Sequence, residues 1–355
     1  HETLKIMVVA GESGGHVFPA IGFCQELKAA SGNPKDITFV TTKTEKTDFC
    51  ISEEFSPVRL KVNKSLAGIV KYVICASSLM GRIRPDVIFG FGGYMTVPFI
   101  ILGSFFGKRT LIHEQNVVPG RANRFLGFFA KRIVVSFEKT KTFFKNDKKV
   151  FLARYPLRAS LKRVDREKAL DFFGFQRGLV TLLVMGGSQG ARRINEFVLA
   201  ALKEGNYDDK LQIIHLCGRQ DFDATQEVYQ KLAVRSRSFA FLNEMHYAYS
   251  AADFVIARAG AGSLFEIMSF GLPSILIPYP YAAAHQVENA KFLAEKGGAL
   301  LLEDAKMSAS LFQGLLDIMC EDAMRRKTMA TITASLYASC QNLTLKDLVV
   351  FERGR

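Results

Sequence analysis

Short apolar runs rich in Val, Ile, Leu and Phe alternate with longer segments of helical periodicity along most of this chain. Such alternation is typical of βαβ units, which build a parallel sheet that is buried on both faces. We expect strands at residues 5–9, 37–41, 87–89, 110–113 and 133–136, and again at 179–185, 211–217, 239–241, 254–257 and 274–277. The sequence therefore predicts an α/β fold with doubly wound parallel sheets.

The alternating pattern is interrupted near the middle of the chain. The segment LARYPL, residues 152–157, contains a proline that suits neither a strand nor a helix, and a highly charged helical segment follows it. A chain of 355 residues also exceeds the size at which one hydrophobic core keeps growing. We therefore expect two domains that face each other across a cleft, 1–157 and 158–335, with a C-terminal helix, 336–355, that rejoins the first.

Composition excludes several classes of protein. A hydrophobic fraction of 48% and a charged fraction of 23% are typical of a globular protein. The longest apolar stretch, residues 97–107, is shorter than the roughly 20 residues of a transmembrane helix, and the first residues do not resemble a signal peptide. Six cysteines without paired spacing indicate a reducing compartment and no zinc site. We expect a protein that does not span a membrane.

The net charge of +13 predicts attraction to polyanions, among which nucleic acid, anionic lipid and phosphorylated substrates all qualify. Because the basic residues are spread over the chain and accompany no recognition motif, a nucleic-acid-binding protein is disfavoured. Charge alone does not choose between lipid and phosphorylated substrate.

A glycine-rich turn, GGSQG, follows the first predicted strand of the second domain and precedes a helix. Glycine lets the backbone approach a phosphate, and the helix N-terminus offers unpaired N–H groups. The same letters spell G-x-S-x-G, the nucleophile elbow of hydrolases, in which Asp253 and His285 would join Ser188 in a triad. An ordinary tight turn is a third interpretation. A hydrolase would leave the whole N-terminal sheet unexplained.

Two similar turns, AGESGGHVFPA and FGFGGYMTVP, occur in the first half. Neither is a G-x-G-x-x-G with the downstream acidic residue of a dinucleotide fold, which argues against a nicotinamide or flavin enzyme. Phosphate-binding turns in both halves predict two anionic ligands, a donor and an acceptor. In the second half, Glu266 follows the glycines of ARAGAGSLFE, and its carboxylate could hydrogen-bond two vicinal hydroxyls of a ligand. Alternatively, an acid near a helix N-terminus stabilises the helix dipole.

Six motifs together resemble the MurG family of N-acetylglucosaminyltransferases. They are SGGHVFPA, GFGGY, HEQNVVPGRAN, GGSQGARRIN, AGAGSLFEI with GLPSILIPYP, and HQVENA, in the family's order and spacing from residue 11 to about residue 300. The resemblance implies the two-Rossmann GT-B glycosyltransferase fold and no metal or other cofactor. It also implies inverting transfer of N-acetylglucosamine from UDP-N-acetylglucosamine to the C4 hydroxyl of an undecaprenyl-diphosphate-linked muramoyl peptide, a step of peptidoglycan biosynthesis.

The resemblance further implies which residues bind the donor, mainly in the C-terminal domain. Ser188 would contact the UDP phosphates, Glu266 the ribose hydroxyls and Arg158 the uridine end, while Phe241 and Leu242 would border the base. Gln286, Asn289 and Asn116 would bind hydroxyls of the sugar. Gly187, Gly190 and Ala261 complete the predicted donor site.

The acceptor, by the same resemblance, would lie mainly on the N-terminal domain. The predicted acceptor residues are Ser13, Gly14, Gly15, His16, Gly92, Gly93, Tyr94, His113 and Glu114. His16 is the candidate catalytic base, because an unperturbed imidazole titrates near neutrality, but it could instead only hydrogen-bond the acceptor diphosphate. His113 has the alternative role of a structural residue at a strand end, and the role of Glu114 is open. His215, within LQIIHLC, is expected to be a core histidine.

The chain departs from the family pattern in two places. Glu12 stands where the family usually has glycine, and a carboxylate beside a diphosphate loop is unfavourable unless it points away. Arg154, Tyr155 and Pro156 replace the usual glycine-asparagine-proline. The first departure bears on the acceptor loop, whereas the second concerns the linker.

Three segments pair apolar with basic residues. Residues 64–84 carry Leu66, Ile69, Val70, Val73 and Ile74 at helical spacing, and FFGKR and RFLGFFAKR repeat the pairing. Such segments suit peripheral binding to an anionic membrane surface, here the cytoplasmic face of the plasma membrane, although a domain core also explains apolar stripes. A UDP-sugar 2-epimerase or another GT-B glycosyltransferase is the alternative function, and an epimerase would need no lipid acceptor.

Overall fold

The computed structural model describes residues 4–11, 13–31, 37–42, 55–61, 63, 65–186, 191–281, 285–340 and 343–350. The chain divides into two compact units, His1–Ala159 with Cys340–Arg355, and Ser160–Ser339. We refer to them as unit 1 and unit 2. The boundaries expected from the sequence, after residues 157 and 335, lie slightly earlier along the chain.

Unit 1 is built on a seven-stranded parallel sheet. Its strands are β1 Ile6–Val9, β2 Ile37–Thr42, β3 Val58–Leu60, β4 Val87–Gly90, β5 Arg109–Glu114, β6 Arg132–Val135 and β7 Val150–Leu152, in the order β3-β2-β1-β4-β5-β6-β7. The α-helices that connect these strands are α1 Gly14–Ser31, α2 Leu66–Ile83, α3 Thr96–Phe105 and α4 Arg121–Leu126. Every strand pairing is parallel, as the βαβ pattern predicts.

Side chains of successive strand residues enter different cores on the two faces of this sheet. Ile6 and Val8 pack with Phe23 of α1, whereas Met7 and Val9 pack with Tyr72 of α2 and with α3. This alternation follows from the two-residue period of a strand, and it explains why β1 is apolar at every position.

Unit 2 repeats the architecture with a six-stranded parallel sheet. Its strands are β8 Val180–Met185, β9 Leu211–Leu216, β10 Arg235–Phe239, β11 Phe254–Ala257, β12 Ser274–Leu276 and β13 Ala299–Leu301, in the order β10-β9-β8-β11-β12-β13. The helices are α5 Arg166–Phe173, α6 Arg192–Glu204, α7 Phe222–Gln230, α8 Met245–Ala251, α9 Ala261–Ser269, α10 His285–Ala294, α11 Ala309–Glu321 and α12 Ala323–Ser339. The prediction of two doubly wound α/β units is confirmed.

A C-terminal helix rejoins unit 1, as the sequence predicts, but it begins later than the expected residue 336. Helix α12 of unit 2 ends at Ser339, and a separate short helix, α13 Leu345–Val350, belongs to unit 1. Thr344 and Asp347 cap α13 reciprocally, because Asp347 N donates to Thr344 Oγ1 at 3.1 Å and Thr344 N to Asp347 Oδ2 at 3.0 Å. Leu345 is buried in the core beside α1. The short amphipathic pattern of α13 was therefore hidden within a longer helical periodicity.

Helix α2 is, among the described residues, long and apolar enough to cross a membrane by length and composition. The stretch 97–107, which is the longest apolar run in the sequence, is shorter than this helix. However, Tyr72, Ala76, Leu79 and Met80 are buried in the core between α2 and the sheet of unit 1. One face of the helix is thus held by the domain, while Leu66, Ile69, Val70, Val73 and Ile74 are exposed.

Candidate functional site

Two glycine turns meet at the carboxyl edge of the sheet of unit 1. Gly11 follows β1, Gly92 and Gly93 follow β4, and these two strands are neighbours. Gly11 N donates to Gly92 O at 3.1 Å. Gly92 and Gly93 have φ values of 98° and 86°, and a Cβ at Gly92 would lie 2.7 Å from Cδ2 of His16. Glycine is therefore required where the two turns approach the imidazole.

His16 is half-buried in the first turn of α1. Its Nδ1 lies 3.1 Å from Oγ of the exposed Ser13, and its ring lies against the backbone of Gly92. Gly14 and Gly15 form the start of the helix beside it. The structure thus brings together most of the predicted acceptor residues, at a helix N-terminus of the kind that binds phosphates. Glu12 lies outside the described residues.

Tyr94, another predicted acceptor residue, is exposed in the turn that leads from Gly93 to α3. Two hydrogen bonds to backbone carbonyls stabilise the turn. Tyr72 Oη donates to Met95 O at 2.8 Å, and Thr96 Oγ1 donates to Gly93 O at 2.7 Å. The phenol therefore stands at the surface of a well-braced turn, where a ligand can reach it.

His113 is fully buried on β5. Its Nδ1 lies 3.2 Å from Nε2 of Gln115 and its Nε2 lies 3.0 Å from Oγ of Ser136, so that Nδ1 accepts and Nε2 donates. Burial, with a smaller contribution from His16, lowers the pKa of His113 from 6.5 to about 3. A neutral ring with no exposed surface does not face a ligand. The geometry therefore supports a structural role for His113 and not contact with the acceptor.

The neighbouring Glu114 is buried and shapes the loop that follows β5. Its Oε1 accepts from the backbone N and the Nδ2 of Asn116 at 3.0 and 3.1 Å, and its Oε2 accepts from Gly120 N at 3.1 Å and Asn123 Nδ2 at 2.8 Å. One carboxylate therefore joins both ends of the loop. The half-buried Asn116, predicted to bind the donor sugar, is held in place by this contact.

Arg158 belongs to unit 1, not to the second domain in which the sequence boundary placed it. Its guanidinium lies 4.4 Å from the ring centre of Phe18 on α1. The preceding segment packs closely on the same helix, because a Cβ at Gly22 would lie 2.5 Å from Pro156 O. Arg154 forms an ion pair with Glu26 at 3.1 Å, so the unusual linker residues are integrated into unit 1.

In unit 2, three of the predicted donor residues, Gln286, Asn289 and Ala261, lie near the carboxyl ends of β11 and β12. Gln286 Oε1 accepts from Ala259 N at 3.2 Å and Tyr279 N at 2.9 Å, and Asn289 Nδ2 donates to Ala259 O at 3.1 Å. Gly260 precedes α9, and the buried Ala261 is its first residue. Glu266 lies further along α9, with 8% of its surface exposed, and its Oε2 accepts from Tyr249 Oη at 2.7 Å.

Phe241 and Leu242 form the turn between β10 and α8, at the same carboxyl edge. Phe241 is half-buried and Leu242 is buried. The strand predicted near residues 239–241 is present but lies earlier, because β10 occupies residues 235–239 and Phe241 and Leu242 follow it. The polar sequence RSRSF conceals the strand, since an edge strand does not need apolar residues on both faces. Phe241 therefore lies in a strand-end turn and not in a strand.

Within the glycine turn GGSQG, Gly187, Ser188 and Gly190 lie outside the described residues. The flanking elements are those predicted, since β8 ends at Met185 and α6 begins at Arg192. The position of Asp253 argues against a catalytic triad with Ser188. Asp253 precedes β11 and its Oδ2 accepts from Thr181 N at 2.7 Å, at the amino edge of the sheet, whereas residues that follow β8 leave from the carboxyl edge. The position of Asp253 therefore does not support the triad with Ser188 and His285 that the hydrolase interpretation needs.

An ion-pair network around the buried Asp304 of unit 2 was missed from the sequence. Arg258 Nη1 lies 2.5 Å from Oδ2 of Asp304, and Arg193 Nε lies 2.9 Å from its Oδ1. Arg258 also donates to Ile277 O and Pro278 O at 3.3 Å. Asp304 thereby connects the start of α6 with the turns after β11 and β12. An arginine directly after a buried strand was the available signal, but its partner is distant in sequence.

His215 is a core residue, as predicted. Its Nδ1 lies 2.8 Å from Tyr229 Oη and its Nε2 lies 2.9 Å from Asn195 Oδ1. Burial lowers its pKa from 6.5 to about 3. Within the described part of the chain, no group of three or more His, Cys, Asp or Glu side chains could hold a metal ion.

Both units match models of known glycosyltransferase domains. Residues 6–135 match the glycosyltransferase family 28 N-terminal domain, and residues 181–342 match the family 28 C-terminal domain. With a parallel α/β sheet in each unit and a strand-end site on each, these matches define a two-domain glycosyltransferase of the GT-B class.

Whole-length relatives define the family within that class. The chain is 32% identical over 352 residues to the UDP-N-acetylglucosamine–N-acetylmuramyl-(pentapeptide) pyrophosphoryl-undecaprenol N-acetylglucosamine transferase of Desulforamulus reducens, with 94% of each chain covered. It is 33% identical to the protein of the same name from Halothermothrix orenii, with 98% of each covered. The chain belongs to this family, the MurG transferases, which confirms the resemblance found from the six motifs.

Solved structures agree with this assignment. The crystal structure of Acinetobacter baumannii MurG superimposes with a TM-score of 0.74 at 26% identity, with 98% of each chain covered. A putative UDP-N-acetylglucosamine 2-epimerase from Listeria monocytogenes superimposes with a TM-score of 0.69 at 13% identity, covering 100% of this chain and 98% of that one. The second similarity shows a shared fold alone.

Proposed function

We propose that this protein transfers N-acetylglucosamine from UDP-N-acetylglucosamine to the C4 hydroxyl of an undecaprenyl-diphosphate-linked muramoyl peptide, forming a β(1→4) bond with inversion. The observation that carries the proposal is its similarity, over 94% of the chain, to a transferase named for these two substrates. A strand-end site on each unit also suits a reaction with one donor and one acceptor. The product would serve peptidoglycan biosynthesis and thereby cell shape and division.

The donor would bind to unit 2. Residues 187–190 connect β8 to the N-terminus of α6, where unpaired N–H groups would bind the UDP diphosphate and stabilise the charge that develops as UDP leaves. Glu266 would bind the ribose hydroxyls, and the turn with Phe241 and Leu242 would border the base. Gln286 and Asn289 orient the turn after β11, which would contact the sugar.

The acceptor would bind to unit 1. The turns of Gly11, Gly92 and Gly93 let an anionic group approach the backbone at the N-terminus of α1. His16 lies at this point, and we propose that its imidazole takes the proton from the attacking C4 hydroxyl. Inversion follows from direct attack on the anomeric carbon from the face opposite UDP. No step of this mechanism uses a metal ion.

Peripheral binding to an anionic membrane is proposed for the α2 side of unit 1. Leu66 is 81% exposed, Phe105 77% and Phe128 68%, whereas such side chains are commonly buried. The exposed Lys71 and Lys131 lie on the same segments. Apolar side chains that enter the interface, with lysines that contact anionic headgroups, would place unit 1 at the cytoplasmic face of the plasma membrane, where a lipid-linked acceptor resides.

An epimerase of the same fold is the alternative, and one assay separates the two functions. Radiolabelled UDP-N-acetylglucosamine is incubated with the protein, with and without the lipid-linked muramoyl peptide. We expect label in the lipid fraction, dependent on the acceptor, and a KM for the donor raised about tenfold or more in Glu266→Ala, because a hydrogen bond to a charged group is lost. Acceptor-independent conversion of the nucleotide sugar would instead support the epimerase.

A further inference from the structure

Tyr249 lies on α8 with its hydroxyl among three elements of the predicted donor site. Its Oη donates to Glu266 Oε2 on α9 at 2.7 Å and lies 3.4 Å from Sδ of Met185, the last residue of β8. The residue is 1% exposed, and its ring stacks on Phe270 at 5.1 Å between ring centres. The phenol is therefore a fixed donor directed at the carboxylate from within the core.

This contact restricts how Glu266 can present its carboxylate. A buried carboxylate needs hydrogen-bond donors, and a short bond from a rigid phenol selects one orientation of the group. Each carboxylate oxygen can accept two hydrogen bonds, so a bond from Tyr249 is compatible with further bonds to a ligand. A glutamate without this contact would have to lose side-chain freedom on binding, which weakens affinity.

We propose that Tyr249 is a positioning residue that orients the Glu266 carboxylate for the two vicinal hydroxyls of the donor ribose. The inference rests on the proposed function, and in particular on the ribose role of Glu266. In this role Tyr249 acts through Glu266. It makes the site selective for ribonucleotides, because a carboxylate held in one orientation gains most from a ligand that carries both hydroxyls.

Tyr249→Phe tests this role, since the substitution keeps the ring that stacks on Phe270 and removes only the hydroxyl. The dissociation constants of UDP and 2′-deoxy-UDP are measured by calorimetry for the parent and the variant. We expect the Kd of UDP to rise about tenfold and that of 2′-deoxy-UDP to change less than about twofold. The preference for the ribonucleotide should therefore decrease. Glu266→Gln, with Tyr249 intact, should lose the same preference.

Tyr207→Phe is the matched control. Tyr207 is also buried in unit 2, and its Oη donates to a carboxylate oxygen of Asp317 at the same distance of 2.7 Å, away from the predicted donor residues. Both variants lose one tyrosine–carboxylate bond, so their unfolding temperatures should fall to a similar extent. Only Tyr249→Phe should change the preference for UDP over 2′-deoxy-UDP.

Three results would overturn the inference: an unchanged Kd for UDP in Tyr249→Phe, an equal loss of affinity for both nucleotides, or the same change in preference in Tyr207→Phe. These results are distinguishable from failure of the proposed function. If the parent binds UDP and transfers the sugar while Tyr249→Phe behaves as the parent, the positioning role alone is wrong. If the parent binds no UDP, the proposed function and this inference both fail.

Discussion

At the scale of single residues, His113 and Glu114 show what a sequence can and cannot predict. Both are polar and both end a buried strand, so the strand-end position suggested ligand contact. In the structure, His113 points into the core and Glu114 holds the following loop. Polarity alone does not say whether a side chain faces a ligand or its own chain. His215 was predictable because apolar residues flank it on a central strand.

The two buried histidines predict how stability depends on pH. The pKa values of His113 and His215 are about 3 in the folded protein, below the value near 6.5 expected when unfolded. The unfolded chain therefore binds more protons between these values. Each histidine should lower the free energy of unfolding by about 1.4 kcal/mol per pH unit as pH falls from about 6.5 towards 3.

Urea unfolding at a series of pH values checks this, with His215→Gln beside the parent. The dependence on pH in this window should be weaker in the variant, because one titrating group is gone. Acidic residues contribute equally to both proteins and cancel in the difference. Parallel curves for parent and variant would show that His215 is not a buried neutral imidazole.

At the scale of elements, apolar central strands were predictable and edges were not. Strands β1, β2, β4, β5, β6, β8, β9, β11 and β12 lie where the apolar runs predicted them. The three-residue strands β3, β7 and β13 lie at or near sheet edges, and their burial is too limited to leave a clear pattern. Helix α2 was predicted as amphipathic, but its sequence could not show which apolar face the domain would bury.

The exposed face of α2 gives a prediction about membrane binding. Ile69→Glu with Ile74→Glu replaces two exposed apolar side chains by charges of the same sign as anionic lipid. We expect the fraction of protein that sediments with anionic liposomes at low salt to fall about tenfold, since apolar insertion and charge attraction are both lost. Transfer to a short-chain, water-soluble acceptor should be retained.

Ser78→Glu is the matched control, because Ser78 is exposed on the same helix but contributes a hydroxyl instead of apolar surface. It adds charge and should reduce sedimentation much less than the double variant. Equal sedimentation of the parent and the double variant, or no sedimentation of the parent, would refute a membrane-binding face on α2.

At the scale of the whole molecule, the division of the chain into two units was predictable from repetition. The βαβ pattern occurs twice, with one interruption, and the structure has one parallel sheet on each side of it. Tyr249 and the pair Arg258–Asp304 were not predictable, because each acts through a partner that only the fold brings near. Motif spacing identified candidate ligand-binding residues. The residues that position them can be recognised only from the tertiary structure.

The chemical structure of the product is the sharpest test of the proposed reaction. The disaccharide formed from UDP-N-acetylglucosamine and a lipid-linked muramoyl peptide is isolated and its new bond is determined by NMR. We predict a β-anomeric N-acetylglucosamine attached to C4 of the muramoyl residue. An α-anomer, attachment at another hydroxyl, or no disaccharide at all would contradict the proposed transfer.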